Sequence, residues 1–213
     1  MLSRESAVRS VPRVSEERLK SPRARLFVAL DLPEKLRAGI VAWGNNELRD
    51  PALRVVAPES LHVTLAFLGY LPEREIVRLG EIVRGLGTKA PTLRLEDPVA
   101  KPSLRRARLF ALPAIAPDAA PLQRELEQKL VAERLYKPET RPFWPHVTVA
   151  RVKSAGRGSR RPATVEGPPG GLSKGLLEPA LCVRVTLYRS VLQPQGSRYT
   201  PLAQVELSRD GRQ

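Results

Sequence analysis

The sequence predicts an α+β fold of two lobes, each a mostly antiparallel sheet and related by pseudo-symmetry, with helices packed outside and a cleft between them. Three observations carry this reading. Apolar runs of strand length alternate with stretches whose apolar residues recur at helical spacing. One strand-like segment, LHVTLAFLG at 61–69, is nearly repeated as the HVTVAR of RPFWPHVTVAR at 141–151, and the chain has no other histidine. Two long β-rich runs, LCVRVTLYRSVL and RYTPLAQVELS, close the chain around QPQGS, a turn signal between paired strands. With 213 residues the chain fits a single bilobal domain over 25–207, between a basic arm at 1–24 and a short tail at 208–213.

The elements follow in order. Arg25 to Leu32 is a compact apolar run ended by Pro33, hence a strand, and Leu36, Ile40, Trp43 and Leu48 then fall near one helical face that Pro33 opens. LRVVAP is a short strand and SLHVTLAFLGYL a long one. Pro72 introduces a second helix with Ile76, Leu79, Ile82 or Val83, and Leu86 on one side. TLRLEDPV and ARLFALPA read as two further strands, followed by a helix over Asp118 to Leu135, where Leu122, Leu126 and Leu130 recur every fourth residue. The second histidine strand comes next. From 153 to 175 the composition turns to Gly, Pro, Ser and Arg, the mark of a long exposed loop.

Composition narrows the function classes. Apolar residues make up 42%, ordinary for a globular chain, and no apolar run reaches the eighteen or so residues of a membrane span. The opening MLSRESAVRSVPR lacks the apolar stretch of a signal peptide, so a cytoplasmic protein with no membrane partner is expected. The single cysteine, Cys182, excludes an internal disulfide and reads as a small buried side chain. A formal charge of +14 points to a polyanionic partner, although about half of it falls in the arm and in 153–174.

The repeated motif carries the chemistry. In an extended strand alternate side chains share a face, so His62 and Thr64 point one way while Val63 and Leu65 point the other; His146 and Thr148 oppose Val147 and Val149 in the same manner. A lone His-x-Thr is an ordinary exposed strand segment. Two copies with matching neighbours are not. Two imidazoles leave zinc short of ligands, and no Asp or Glu stands two or four residues from either histidine, so no metal is expected. Paired imidazoles across a cleft, one a base and the other an acid, suit in-line hydrolysis of a phosphodiester, with the hydroxyls and a cationic ring holding the nonbridging oxygens. A strained 2',3'-cyclic phosphate fits such a site, since its departing alkoxide needs a proton more than it needs a metal.

On these residues the chain resembles the two-histidine (2H) phosphoesterases of the LigT/ThpR type, the RNA 2',3'-cyclic phosphodiesterases. RLFVALDLP is similar to the opening strand of that family, LHVTLAFLG to its first motif, RPFWPHVTVAR to its second and LYRSVLQPQGSRYTPLAQVEL to its closing strand pair, so the likeness runs from Arg25 to about Leu207. The resemblance implies that His62 protonates the leaving oxygen, that His146 activates water, and that Thr64, Thr148 and Arg151 bind the phosphate. It further implies a 2'-phosphomonoester product, an associated 2',5' RNA-joining activity and Phe27 beside the base; a monomer without a cofactor is expected. The substrates would be RNA ends bearing a 2',3'-cyclic phosphate, tRNA fragments among them. Strand parity objects to Arg151: five steps from His146 it should face the Val147 side unless the strand ends or bulges first. A non-catalytic RNA-end or nucleotide-binding module, or a 2',5' phosphodiesterase, would share much of this sequence, but the intact His and Thr of both motifs argue against the former.

Overall fold

A computed structural model describes residues 22–193 and 196–210. The expected arm therefore lies outside the described residues as far as residue 21, and so do two residues of the expected QPQGS turn and the last three of the tail. Strand β1 (Arg23–Asp31) begins two residues before the expected start and ends ahead of Pro33, whose fixed φ of −57° precedes helix α1 (Glu34–Glu47). Then come β2 (Leu53–Val55), β3 (His62–Pro72) and α2 (Ile76–Arg84). TLRLEDPV is not one strand: Asp97-Pro98 breaks it into β4 (Thr92–Leu95) and β5 (Val99–Lys101). Proline cannot continue a ladder and biases the residue before it. β6 (Leu109–Ile115), α3 (Ala119–Ala132) and β7 (His146–Val152) precede β8 (Ala180–Leu181), β9 (Arg184–Gln193) and β10 (Gly196–Glu206).

The fold is α+β, with a large antiparallel sheet and three helices among the described residues. The strand order is β10-β9-β1-β3-β7-β6-β4-β8, with β2 added to β7 and β5 to β6. The two expected sheets are the halves of this path, joined between β3 and β7 by a single registered pair, Val63 with Val147. These are the central valines of the two histidine motifs. The halves repeat a strand-helix-strand plan, β1-α1-β3 and β6-α3-β7, with the histidine at the start of the last strand each time.

The helices brace across the joint. α3 leaves β6 and packs on β3, whereas Ile40 and Gly44 of α1, which leaves β1, line a small cavity with Val149 of β7. One continuous core results, from Leu26, Val28 and Leu30 through Val63 and Val147 to Phe110, Leu122, Leu126 and Leu130. Cys182 is fully buried, which pushes its thiol up to about 12. No helix among the described residues is long and apolar enough to cross a membrane.

The expected exposed loop at 153–175 is irregular up to Lys174, as anticipated, but it is held down as a strap. The backbone N–H groups of Glu166, Gly170 and Leu172 donate to carboxylates of Asp50, Glu47 and Asp97 at 2.9, 2.9 and 2.8 Å. The Trp43 indole donates to the Gly170 carbonyl at 3.2 Å, and Leu172 and Leu176 are buried. Backbone donors that find no strand partner are satisfied here by side chains, which composition does not reveal.

Candidate active site

β3 and β7 leave the Val63–Val147 joint with the same local geometry. Against β1, Thr64 pairs with Ala29 and Ala66 with Val28, so Leu65 is an extra residue; against β6, Thr148 pairs with Ala111 and Ala150 with Phe110, so Val149 is extra. Each motif therefore bulges at the third residue after its histidine. A bulge resets alternation. Leu65 and Ala66 are both buried in succession, as are Val149 and Ala150, and the fifth residue after each histidine, Phe67 or Arg151, turns back to the histidine side. That resolves the parity objection to Arg151.

One cavity of about 190 Å³ is lined by His62, Thr64, His146, Thr148 and Arg151 together with Phe27, all six residues expected from the sequence. Arg25, Phe67 and Tyr199 complete much of its wall. The two imidazoles are oriented alike. His62 Nδ1 lies 2.7 Å from the Ser60 carbonyl and His146 Nδ1 2.8 Å from the Trp144 carbonyl, in both cases the residue two before the histidine. A carbonyl only accepts, so Nδ1 carries the proton in each ring and Nε2 is left for other partners. His62 Nε2 is 3.1 Å from Thr64 Oγ1, whose hydroxyl can donate to it.

The surroundings hold both rings toward neutrality. His62 is lowered from 6.5 to about 4, chiefly by burial, with the Ser60 hydrogen bond opposing and the positive charges of His146 and Arg151 adding to the lowering. His146 is also lowered, first by burial and then by Lys101 and Arg151, with its bond to the Trp144 carbonyl opposing. Trp144 stacks on His146 with centroids 4.0 Å apart, and Lys101 Nζ sits 4.4 Å from the centre of the Trp144 ring. Desolvation disfavours the charged imidazole, and an anion in the cavity would reverse that balance.

Phe27, expected beside the base, lines the cavity under His62. It is 3% exposed, 4.9 Å from the His62 ring, stacked with Tyr188 at 5.2 Å and met edge-on by Tyr199 at 4.8 Å. These rings pack about it beneath His62; Phe67, 40% exposed, is the more open aromatic of the cavity wall. Sequence reasoning missed Phe67, Arg25, Trp144, Lys101 and Tyr199 as parts of the site. Only Phe67 had a visible signal, its position five residues after His62, matching Arg151 after His146. A second cavity of about 540 Å³ is lined by Arg54, Arg198 and Gln193, and Ser60, Arg151 and Tyr199 border both cavities. Among the described residues no group of three or more His, Cys, Asp or Glu side chains could hold a metal ion.

Fold and cavity together are those of a two-histidine phosphoesterase. The family described as LigT like Phosphoesterase matches residues 30–111. The RNA 2',3'-cyclic phosphodiesterase of Escherichia coli K12 is 30% identical over 180 residues, spanning 84% of this chain and 93% of that protein. That of Thermus thermophilus is 32% identical over 195 residues, spanning 86% and 90%. The crystal structure of E. coli LigT complexed with 3'-AMP superposes with a TM-score of 0.66 at 28% identity, covering 88% of this chain and 99% of that one. The chain belongs to the LigT-like phosphoesterase family, the group of these RNA 2',3'-cyclic phosphodiesterases.

Proposed function

We propose that the chain hydrolyses 2',3'-cyclic phosphate ends of RNA to 2'-phosphomonoesters by acid-base catalysis between its two histidines, without a metal. The observation that carries this reading is the matched pair of imidazoles, each fixed by an Nδ1–H bond to the carbonyl two residues back and each lining one cavity. His146 Nε2 takes a proton from water as its oxygen attacks phosphorus. The P–O3' bond breaks, and His62 gives its Nε2 proton to the departing O3'. At the end of the step His146 holds the proton and His62 is neutral, and exchange with solvent restores the pair.

The free cavity disfavours charge on either ring, so the proton His62 needs is stabilised by the arriving phosphodiester anion. Thr64, Thr148 and Arg151 hold the nonbridging oxygens, and Phe27 positions the His62 ring rather than the base. Replacing water by an RNA 5'-hydroxyl turns the same attack into formation of a 2',5' linkage. The second cavity, which meets the first at Ser60, Arg151 and Tyr199, gives room for the nucleotide preceding the cyclic end, where Arg198 supports binding of a polyanion. We place the enzyme in the cytoplasm as a monomer acting on RNA ends such as those of tRNA fragments, with a catalytic domain over 25–207.

The test is incubation of the pure protein with nucleoside 2',3'-cyclic phosphates in EDTA, with the product isomers resolved. A 2'-phosphate product is expected. Binding without turnover would make the chain an RNA-end-binding module, and turnover only of 2',5'-linked substrates would make it a 2',5' phosphodiesterase.

A further inference from the structure

Among the breaks in the pseudo-symmetry of the site, one exposes a cation that the motifs do not contain. Five residues after the histidine, beyond the bulge, β7 presents Arg151 whereas β3 presents Phe67. The Phe67 ring is covered by a guanidinium from the neighbouring strand: Arg25 Cζ lies 4.5 Å from its centre. Arg25 stands two residues before Phe27 on the face of β1 turned to the cavity, and it lines that cavity with both histidines. Its Nη1 donates to Ser190 Oγ at 2.6 Å, and Ser190, directly opposite in register on β9, is buried. Stack and hydrogen bond fix a planar donor group that keeps unused N–H groups.

Among the described residues no carboxylate pairs with Arg25. A partly buried guanidinium held by a neutral hydroxyl and a ring, in a cavity that also carries Arg151, has its charge uncompensated until an anion enters. We infer that Arg25 is a second phosphate ligand, the counterpart in one half of the sheet of Arg151 in the other, so that the phosphate is held by a guanidinium from each side of the Val63–Val147 joint. Ser190 and Phe67 are positioning residues for it. This rests on reading the cavity as a phosphodiester site.

The experiment compares Arg25→Gln, Arg25→Lys and Ser190→Ala with the parent protein in two readouts: inorganic phosphate binding followed by the imidazole NMR signals, and kcat/KM on a mononucleotide 2',3'-cyclic phosphate. Loss of a charge-assisted hydrogen bond predicts about tenfold to a hundredfold weaker phosphate binding for Arg25→Gln. Lysine keeps the charge but not the fork and should recover part of the loss; Ser190→Ala should fall between parent and Gln. Arg25→Lys keeps the alkyl stem over Phe67, so it reports on the guanidinium even where the Gln variant fails to fold. Phosphate affinity equal to the parent's in Arg25→Gln or Arg25→Lys overturns the inference. If phosphate binding depends on Arg25 while the parent hydrolyses no cyclic phosphate, the ligand assignment stands and the proposed reaction falls.

Discussion

Replacing Phe27 should return His62 toward ordinary imidazole behaviour. The ring of Phe27, 3% exposed and 4.9 Å from that of His62, is a large part of the apolar wall that holds the imidazole at about 4 instead of 6.5. Each unit is 1.36 kcal/mol, so the fold withholds about 3 kcal/mol from the protonated ring. The linkage has a definite sign. The unfolded chain takes up this proton near 6.5 and the folded chain only near 4, so the contribution to stability is whole above pH 6.5 and is lost as pH falls from 6.5 to 4. In Phe27→Ala water reaches the ring and the value should rise by about one to two units. Truncating a buried Phe costs about 3–5 kcal/mol, so Phe27→Leu provides a milder companion with a smaller rise. The assay is an NMR titration of the two imidazoles, assigned with His146→Ala. A His62 that titrates at 6.5 in the parent protein, or that is unmoved in both variants, refutes the reasoning.

His62→Ala and His146→Ala should each lower turnover of a cyclic phosphate by about a hundred- to ten-thousand-fold with folding intact, and the double variant should be little worse than either; steady-state kinetics with circular dichroism checks this. The pH profile of kcat/KM should be bell-shaped with its maximum on the acid side of 6.5, because both rings are lowered in the free site, while that of kcat lies at higher pH because bound phosphate favours the charged ring. A kcat/KM still rising above about pH 7 contradicts this order. Glu125 accepts bonds from the backbone N–H groups of Gly87 and Thr88 and from the Thr88 hydroxyl, and although burial opposes it these bonds hold its carboxyl below the usual range. Glu125→Ala should destabilise by about 1.5–3 kcal/mol in urea titration, an effect present above the unfolded carboxyl value and lost as pH falls through the folded one. Removing residues 1–21 should weaken binding of long RNA and flatten its salt dependence, with mononucleotide hydrolysis preserved; equal loss on both substrates would place the arm in the site.

The part of the site that the sequence makes legible is the part written locally. Alternation put His62 with Thr64 and His146 with Thr148, and the repeat of the motif put the two strands in equivalent places; both follow from a side-chain period of two. Arg151 could be placed only conditionally, because a bulge is a mismatch of register with a neighbouring strand, and β1 and β6 are distant in sequence from the residues they displace. Phe27 was legible as a member of the site but not in its packing. Whether its face is open depends on Tyr188 and Tyr199, which come from the other end of the chain. Arg25 was hidden for the same reason, its significance lying in a ring on β3 and a hydroxyl on β9. The stretch 153–175 read as an exposed loop, and its anchors were not visible, because glycine and proline report a missing ladder, not the carboxylates of Glu47, Asp50 and Asp97 that receive its amides.

The strand order also sets the sequence of assembly during synthesis. β1 lies between β3 and β9, and Arg25 and Ser190, opposite each other across that ladder, are separated by 165 residues. A nascent chain that has emerged through β7 already holds both histidine motifs, yet the ladder partner of β1 that supplies Ser190 and Tyr188, and the strand that supplies Tyr199, have not been made. Non-local closure of this kind is slow and comes after local contacts. A product terminated before β9 would carry every motif residue but would lack the Tyr188 and Tyr199 rings packed about Phe27 and His62 and the hydroxyl that anchors Arg25. The fold thereby leaves the surroundings of His62 and Arg25 incomplete until the last two strands of the polypeptide have been added.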